Sequence, residues 1–148
     1  IGSTARGIDP DTKPKYFNNY ENNYVYGVDN QVDNGKFSVV CEGIIDALTI
    51  GGIATLSNRC NETQAQLIDT VGRQILLVPD KDAAGQALID NALEYGWSVS
   101  FPEWEPDVKD INAAVVKYGK LFTLKTVIDA KQTSRLKINL MRKKWISG

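Results

Sequence analysis

The 148-residue chain contains no histidine, and this excludes more chemistry than any other single number in its composition. Ser-His and Cys-His nucleophilic pairs, histidine-zinc sites and imidazole acid–base catalysis are all ruled out. Cysteine is scarce as well. Cys41 and Cys60 are too few for a disulfide framework and lack the paired spacing of a zinc site, so both are expected to be buried free thiols. Apolar runs stop at about five residues, which leaves no candidate membrane span or secretory leader and makes a soluble, intracellular chain the expectation. No Gly-x-x-x-x-Gly-Lys-Ser/Thr phosphate loop occurs, and there is no internal repeat. Any catalysis must therefore rest on carboxylates, lysines and metal.

What is present points to one domain. A hydrophobic content of 43% over this length supports a proper core with a small appendage. The chain opens on Ile1-Gly2-Ser3-Thr4 and is expected to be a fragment of a longer polypeptide. Its 17 basic and 18 acidic residues are unevenly spread: six of the basic ones and no acid lie in residues 131 to 148, which leaves 11 against 18 before them. The tail is the electropositive end.

Residues 1 to 36 are polar, rich in Asn, Asp and Gly and broken by Pro10 and Pro14, which favours short strands and turns. Lys15-Tyr16-Phe17-Asn18-Asn19-Tyr20 and Tyr24-Val25-Tyr26-Gly27-Val28-Asp29 interleave aromatics with polar groups. Two readings stay open for them. The aromatics either pack this segment onto the core, or join Arg6, Lys13 and Lys15 in a surface that contacts phosphates and stacks on bases.

From residue 37 the rhythm is regular. Strands are expected at 37 to 41, 53 to 56, 74 to 78 and 97 to 101, with helices at about 43 to 51, from 61, after Asp82 with Tyr95-Gly96 at its end, and at 111 to 118. Asn61 is a candidate helix cap with Ala65, Leu67, Ile68 and Val71 inward; Ala84, Ala87, Leu88, Ala92 and Leu93 form the inward stripe of the next helix. Residues 120 to 148 read as helical, with Leu121, Leu124, Val127 and Ile128, then Leu136, Ile138, Leu140 and Trp145, on apolar stripes. Arg142-Lys143-Lys144 is either a solvated face or a contact for nucleic acid. Strands that are apolar throughout and alternate with helices predict an α/β fold: a parallel sheet covered by helices on both faces.

Two acidic stretches stand at strand ends, where ligands gather in open parallel sheets. Val39-Val40-Cys41-Glu42-Gly43 carries an apolar run into a carboxylate and a glycine, and Ile75-Leu76-Leu77-Val78-Pro79 runs into Asp80-Lys81-Asp82. If these strands are neighbours, Glu42, Asp80 and Asp82 converge, and Asp46 lies one helical turn from Glu42. Acids in such places also cap helices. Carboxylates this close repel unless a divalent cation neutralises them, which makes metal binding the economical reading. Such an ion suits phosphoryl transfer, where positioning and charge neutralisation do most of the work.

Glu42-Gly43-x-x-Asp46 and Asp80-x-Asp82-x-x-Gly85, about forty residues apart, resemble the two motifs of the TOPRIM domain shared by primases, topoisomerases and some nucleases. The resemblance covers about residues 38 to 118. Among these proteins the bacterial and phage DnaG-type primases look most similar. Lys13-Pro14-Lys15-Tyr16-Phe17-Asn18, Tyr26-Gly27-x-Asp29, Arg6-Gly7 and Lys109-Asp110-Ile111-Asn112 resemble segments flanking the primase TOPRIM core, although Asn112 stands where a second acid is often found.

The resemblance implies a Rossmann-like TOPRIM fold of about four parallel strands over residues 37 to 118. Residues 1 to 36 would be the end of an N-terminal subdomain, and 119 to 148 a helical basic extension. It implies a nucleotidyltransferase that makes RNA primers from ribonucleoside triphosphates on single-stranded DNA, with a replicative helicase as a partner, in the cytoplasm of a bacterium or phage-infected cell. Glu42, Asp80 and Asp82 would hold magnesium, or manganese in its place, with Asp46 and Asp110 as auxiliaries. Arg6, Lys15, Tyr16 and Asn18 would contact template, primer or nucleotide. The family's zinc-binding template reader has no counterpart in these residues. The rival readings are a TOPRIM nuclease, which needs the same acids but attacks with water, and a non-catalytic binding module.

Overall fold

The regular rhythm from residue 37 is a sheet buried on both faces. A computed structural model describes residues 2–9, 11–14, 16–31, 34–83 and 85–147, without the side chains of Tyr16, Asn18, Ile146 and Ser147. Lys15 and Ala84 thus lie outside the described residues, as do the side chains of Tyr16 and Asn18. The elements follow as β1 (Ser3–Arg6), β2 (Tyr16–Asn19), β3 (Phe37–Cys41), α1 (Ile44–Ile50), β4 (Ile53–Ala54), α2 (Glu62–Asp69), β5 (Gln74–Leu77), α3 (Gly85–Tyr95), β6 (Ser98–Ser100), α4 (Ile111–Tyr118), α5 (Lys120–Asp129), β7 (Lys131–Gln132) and α6 (Arg135–Ser147). No helix among the described residues is long and apolar enough to cross a membrane.

The main sheet has the order β4-β3-β5-β6-β7. Its first four strands pair in parallel, and β7 pairs antiparallel with β6. Side chains alternate along each strand, so Val40, Ile53, Leu77 and Val99 face one way, onto Ile68 of α2, Leu88, Ile89 and Ala92 of α3 and Ile138 of α6. Val39, Cys41, Leu76 and Val78 face the other way, onto Ala47 and Ile50 of α1, Ile111 of α4 and Val127 of α5. This two-sided burial is why the strands read as unbroken apolar runs. Ile53, Leu76 and Leu77 are fully buried, each stabilising the fold by roughly 1.5–3 kcal/mol in transfer free energy. Cys41 and Cys60 are buried free thiols, and burial pushes Cys60 up to about 12.

The helix boundaries follow local chemistry. Asn61 caps α2 in a reciprocal capping box with Gln64. Gly51 ends α1 in the left-handed region, φ 74°, which only glycine adopts without strain. The first residues form an antiparallel pair of β1 and β2, and Tyr26 bridges to Ala54 at the open edge of β4. The aromatics of this segment divide: Tyr26 packs on the core, whereas Phe17 is half exposed.

Two expectations need correction. Residues 120 to 148 are not helical throughout, because β7 interrupts them and covers the open edge of β6 with a short strand. Their apolar stripes are also narrower than expected: Leu124, Val127, Ile138 and Trp145 turn inward, while Leu121, Leu136 and Leu140 are largely exposed. On α5 the inward face runs through Thr123, which is fully buried, so Leu121 and Ile128 fall outside it. Leu67 of α2 is exposed for the same reason. The basic run of α6 is partly neutralised, with Arg142 paired to Asp90 at 2.6 Å and Lys144 to Glu103 at 3.5 Å.

Candidate metal centre

The register Val40↔Leu77 sets Glu42 and Asp80 side by side just beyond the carboxyl ends of β3 and β5. A cleft of about 350 Å³ opens there, walled by Glu42, Asp46, Asp80 and Asp110 together with Arg6 and Tyr20. Asp82 stands outside the lining, exposed at the margin, yet close enough for its charge to act on Glu42 and Asp80. The five acids singled out in the sequence therefore share one neighbourhood, with Asp82 at its edge.

The scaffold holds each acid differently. Asp46, nearly buried in the first turn of α1, accepts the Asn112 amide at 2.8 Å on Oδ1 and so ties α1 to the start of α4. Its Oδ2 lies against Gly43, where an added Cβ would stand only 2.7 Å away. Asp110 caps α4 by accepting the Ala113 amide at 2.7 Å. Asp82 accepts the Gly85 amide at 2.9 Å at the start of α3. Gly85 has no room for a side chain, since a Cβ there would come within 2.4 Å of the Asp80 carbonyl oxygen. Gly85 is thus required by close approach to the Asp80 backbone, whereas Gly43 lets the Asp46 carboxylate lie close.

Glu42 and Asp80 differ from these capping acids. Glu42 Oε2 is buried and has no hydrogen-bond partner among the described residues. Desolvation, then the charges of Asp82 and Asp46, raise its carboxyl above the ordinary value. Asp80 is pushed up to about 7, first by desolvation and then by Asp46, Glu42, Asp82 and Asp110 in turn. Desolvation also raises Asp46, against the lowering effect of the Asn112 amide. The cleft is a set of hard oxygen donors short of positive charge, which is the donor chemistry of magnesium. Among the described residues no group of three or more such side chains is already arranged to hold an ion, so binding would need the carboxylates to draw together.

Other predicted residues are placed less fully. Arg6 lines the cleft; Lys15 and the side chains of Tyr16 and Asn18 lie outside the described residues. Sequence reasoning missed Thr4 and Tyr20, which also line the cleft, with the Tyr20 hydroxyl donating to the Leu56 carbonyl at 3.3 Å. Tyr20 sits inside the aromatic–polar alternation, but nothing in that pattern says which aromatic faces the acids. Asn112 acts through its backbone on Asp46, and its side-chain oxygen accepts from Thr49 at 3.3 Å.

No family model matches the chain. It is 29% identical to the DNA primase of Clostridium acetobutylicum over 94% of its own length and 26% of that protein. Among solved structures, a DnaG catalytic core superposes with a TM-score of 0.69 at 27% identity, covering 88% of this chain and 48% of that one. A DnaG primase catalytic domain bound to single-stranded DNA gives a TM-score of 0.74 at 24% identity, over 97% of this chain and 52% of that one. The chain thus spans about a quarter of the curated relative and about half of the catalytic cores. It is similar in sequence to a bacterial DNA primase and has the fold of DnaG-type catalytic cores.

Proposed function

We propose that the chain is the TOPRIM-bearing part of a primase catalytic core, a magnesium-dependent nucleotidyltransferase that makes RNA primers from ribonucleoside triphosphates on single-stranded DNA. The observation that carries this reading is Glu42, whose Oε2 is buried and unpartnered among the described residues, in a cleft it shares with three further carboxylates. A nucleic-acid enzyme with such a cleft would repel its own substrate unless a cation intervened. The similarity to primases, one of them with single-stranded DNA bound, supports the choice among TOPRIM activities.

In this reading Glu42, Asp80 and Asp82 hold magnesium, or manganese in its place, with Asp46 and Asp110 beside them. The metal would supply the charge that anchors the triphosphate and stabilises the transferring phosphoryl group. Glu42 would also assist in taking the proton of a 3′-hydroxyl as that hydroxyl attacks the α-phosphate and pyrophosphate leaves. Arg6, on the cleft wall, would meet phosphate oxygens with its planar fork. Lys15, Tyr16 and Asn18 would extend that contact along the template or primer. Asp46 would act as a brace, fixing the start of α4 against α1.

Residues 37 to 118 would form the TOPRIM unit, with 1 to 36 the end of the preceding subdomain and 119 to 148 an extension whose β7 joins the same sheet. The cytoplasm of a bacterium or infected cell would be the place of action, with a replicative helicase as partner. Ribonucleotide incorporation on single-stranded DNA, measured in the longer protein that carries this chain, tests the reading. Asp80→Ala and Asp82→Ala should each abolish it while the fold persists by circular dichroism. Retained incorporation in both variants refutes the metal assignment, and magnesium-dependent cleavage of the strand without nucleotides would mark a TOPRIM nuclease instead.

A further inference from the structure

A second cavity, also of about 350 Å³, lies at the same end of the sheet and is lined by Lys81, Phe101, Pro102, Trp104, Met141 and Trp145. The pairing Leu77↔Val99 carries Asp80, Lys81 and Asp82 and the segment 101 to 104 past the ends of neighbouring strands, so this cavity adjoins the acidic cleft. Lys81 stands between two acids in the chain. Among the described residues its ammonium nevertheless pairs with neither; it lies over the Trp145 ring, 5.5 Å from the centroid.

The aromatic walls are fixed in place. Trp145 meets Phe101 edge-on at 5.7 Å and an interplanar angle of 69°. The Trp104 indole N–H donates to Thr126 at 3.0 Å. The Trp145 indole N–H is buried without an acceptor among the described residues, which is unusual for a buried tryptophan. Lys144 reaches the rim from α6, held at 3.5 Å by an exposed Glu103. Rigid aromatic rings beside flexible cations are the means by which proteins hold single strands: bases stack and phosphates meet ammonium groups.

We propose that this cavity holds a base of a single-stranded nucleic acid passing the acidic cleft, stacked against the Trp104 and Trp145 rings, with Lys81 on the phosphate beside it. The choice of nucleic acid as the ligand rests on the primase reading above; the cavity and its cations do not. Lys81 then links the two sites. Its neighbours Asp80 and Asp82 serve the metal, while its own charge serves the strand.

The test titrates this chain with a thymidine dodecamer and with an abasic dodecamer of equal phosphate number, following tryptophan fluorescence with magnesium present. Trp97, buried and bonded to Asp69, supplies a constant background. The base-bearing strand should quench the remaining emission and the abasic strand should not. Lys81→Ala should weaken binding roughly ten-fold and make its salt dependence shallower by about one phosphate contact.

Equal quenching by both strands, or an unchanged affinity in Lys81→Ala, overturns the proposal. So does equal quenching by an acidic peptide of matched charge, which would make the cavity a protein-docking site. Primer synthesis by the longer protein, run in parallel, separates the two readings. Incorporation without base-dependent quenching removes the cavity proposal alone, and quenching without incorporation removes the primase reading alone.

Discussion

Without divalent metal at pH 8, replacing Asp80 with Asn should make this protein more stable while abolishing its response to magnesium. The Asp80 carboxyl sits at about 7 in the fold against an ordinary 3.8, pushed up by burial and by its acidic neighbours. At about 1.36 kcal/mol per unit, an ionised Asp80 costs the folded state on the order of 4 kcal/mol. The sign follows from proton binding. Between pH 4 and 7 the folded chain keeps a proton that the unfolded chain has lost, so stability falls as pH rises through that window and stays low above it. Asparagine has nearly the same shape and no charge, so it removes the penalty. It also weakens the field on Glu42, which Asp80 shares. Some of the gain will be lost where Asp80 relaxes toward solvent, and about 2–4 kcal/mol, or roughly 5–10 °C in Tm, is the expected rise. Thermal unfolding in EDTA at pH 8 measures it. Adding magnesium should then raise the parent's Tm by mass action and leave Asp80→Asn nearly unmoved. A variant no more stable than the parent in EDTA, or one that keeps the full magnesium shift, refutes the reasoning.

The same linkage predicts that the metal-free parent gains stability as pH falls from 7 toward 4, and that saturating magnesium flattens this slope; denaturant midpoints across that range would show either. Gly85→Ala forces a Cβ to within 2.4 Å of the Asp80 carbonyl oxygen, a backbone atom that cannot swing aside, so a loss of about 1–3 kcal/mol in urea unfolding is expected. Gly43→Ala meets only the Asp46 carboxylate and should cost less; the reverse order would contradict the contacts described. Asp46→Ala strands the Asn112 amide and should destabilise by about 1–3 kcal/mol, whereas Asp46→Asn keeps an acceptor for that amide and should be at least as stable as the parent. Equal effects of the two substitutions would remove the brace.

Much of the scaffold could be read from the chain because its signals are local. Val39 to Cys41 and Ile75 to Val78 are apolar at every position, which only a sheet covered on both faces requires, and Asn61 with Gln64 spells out a capping box. The acids at the strand ends were legible for a related reason: a parallel sheet fixes where its strands finish, so Glu42 and Asp80 had to meet if β3 and β5 were neighbours. What escaped depends on contacts distant in sequence. Lys131 and Gln132 carry no strand signal of their own; they pair because β6 would otherwise be an open edge. Leu121 and Leu136 look like core residues and are exposed, since the inward face of a helix is set by what it packs on as much as by its own period. Asp46 illustrates the limit within the site. Its spacing from Glu42 allowed a ligand or a dipole partner, and its bond to the Asn112 amide, from a helix more than sixty residues away, could not be anticipated.

The two acid–glycine motifs share one steric logic. In each, the glycine lets a helix start close to a carboxylate or its backbone, most tightly at Gly85, where a Cβ would meet a backbone oxygen. The acids are therefore held together by backbone packing and by caps, through Gly85, Ala113 and Asn112, rather than by counter-charge. Among the described residues, none of Glu42, Asp46, Asp80, Asp82 and Asp110 takes part in an ion pair. A fold seeking stability alone would have relaxed such a cluster, since a polar or apolar residue at position 80 removes a cost of several kcal/mol. The arrangement instead keeps Glu42 Oε2 buried and unsatisfied and Asp80 short of full ionisation near neutral pH. Both conditions disappear on binding a hard divalent cation, and neither disappears on binding a phosphate alone. Such an ion, held by Glu42, Asp80 and Asp82, would neutralise part of the cleft's charge and so let a triphosphate approach it.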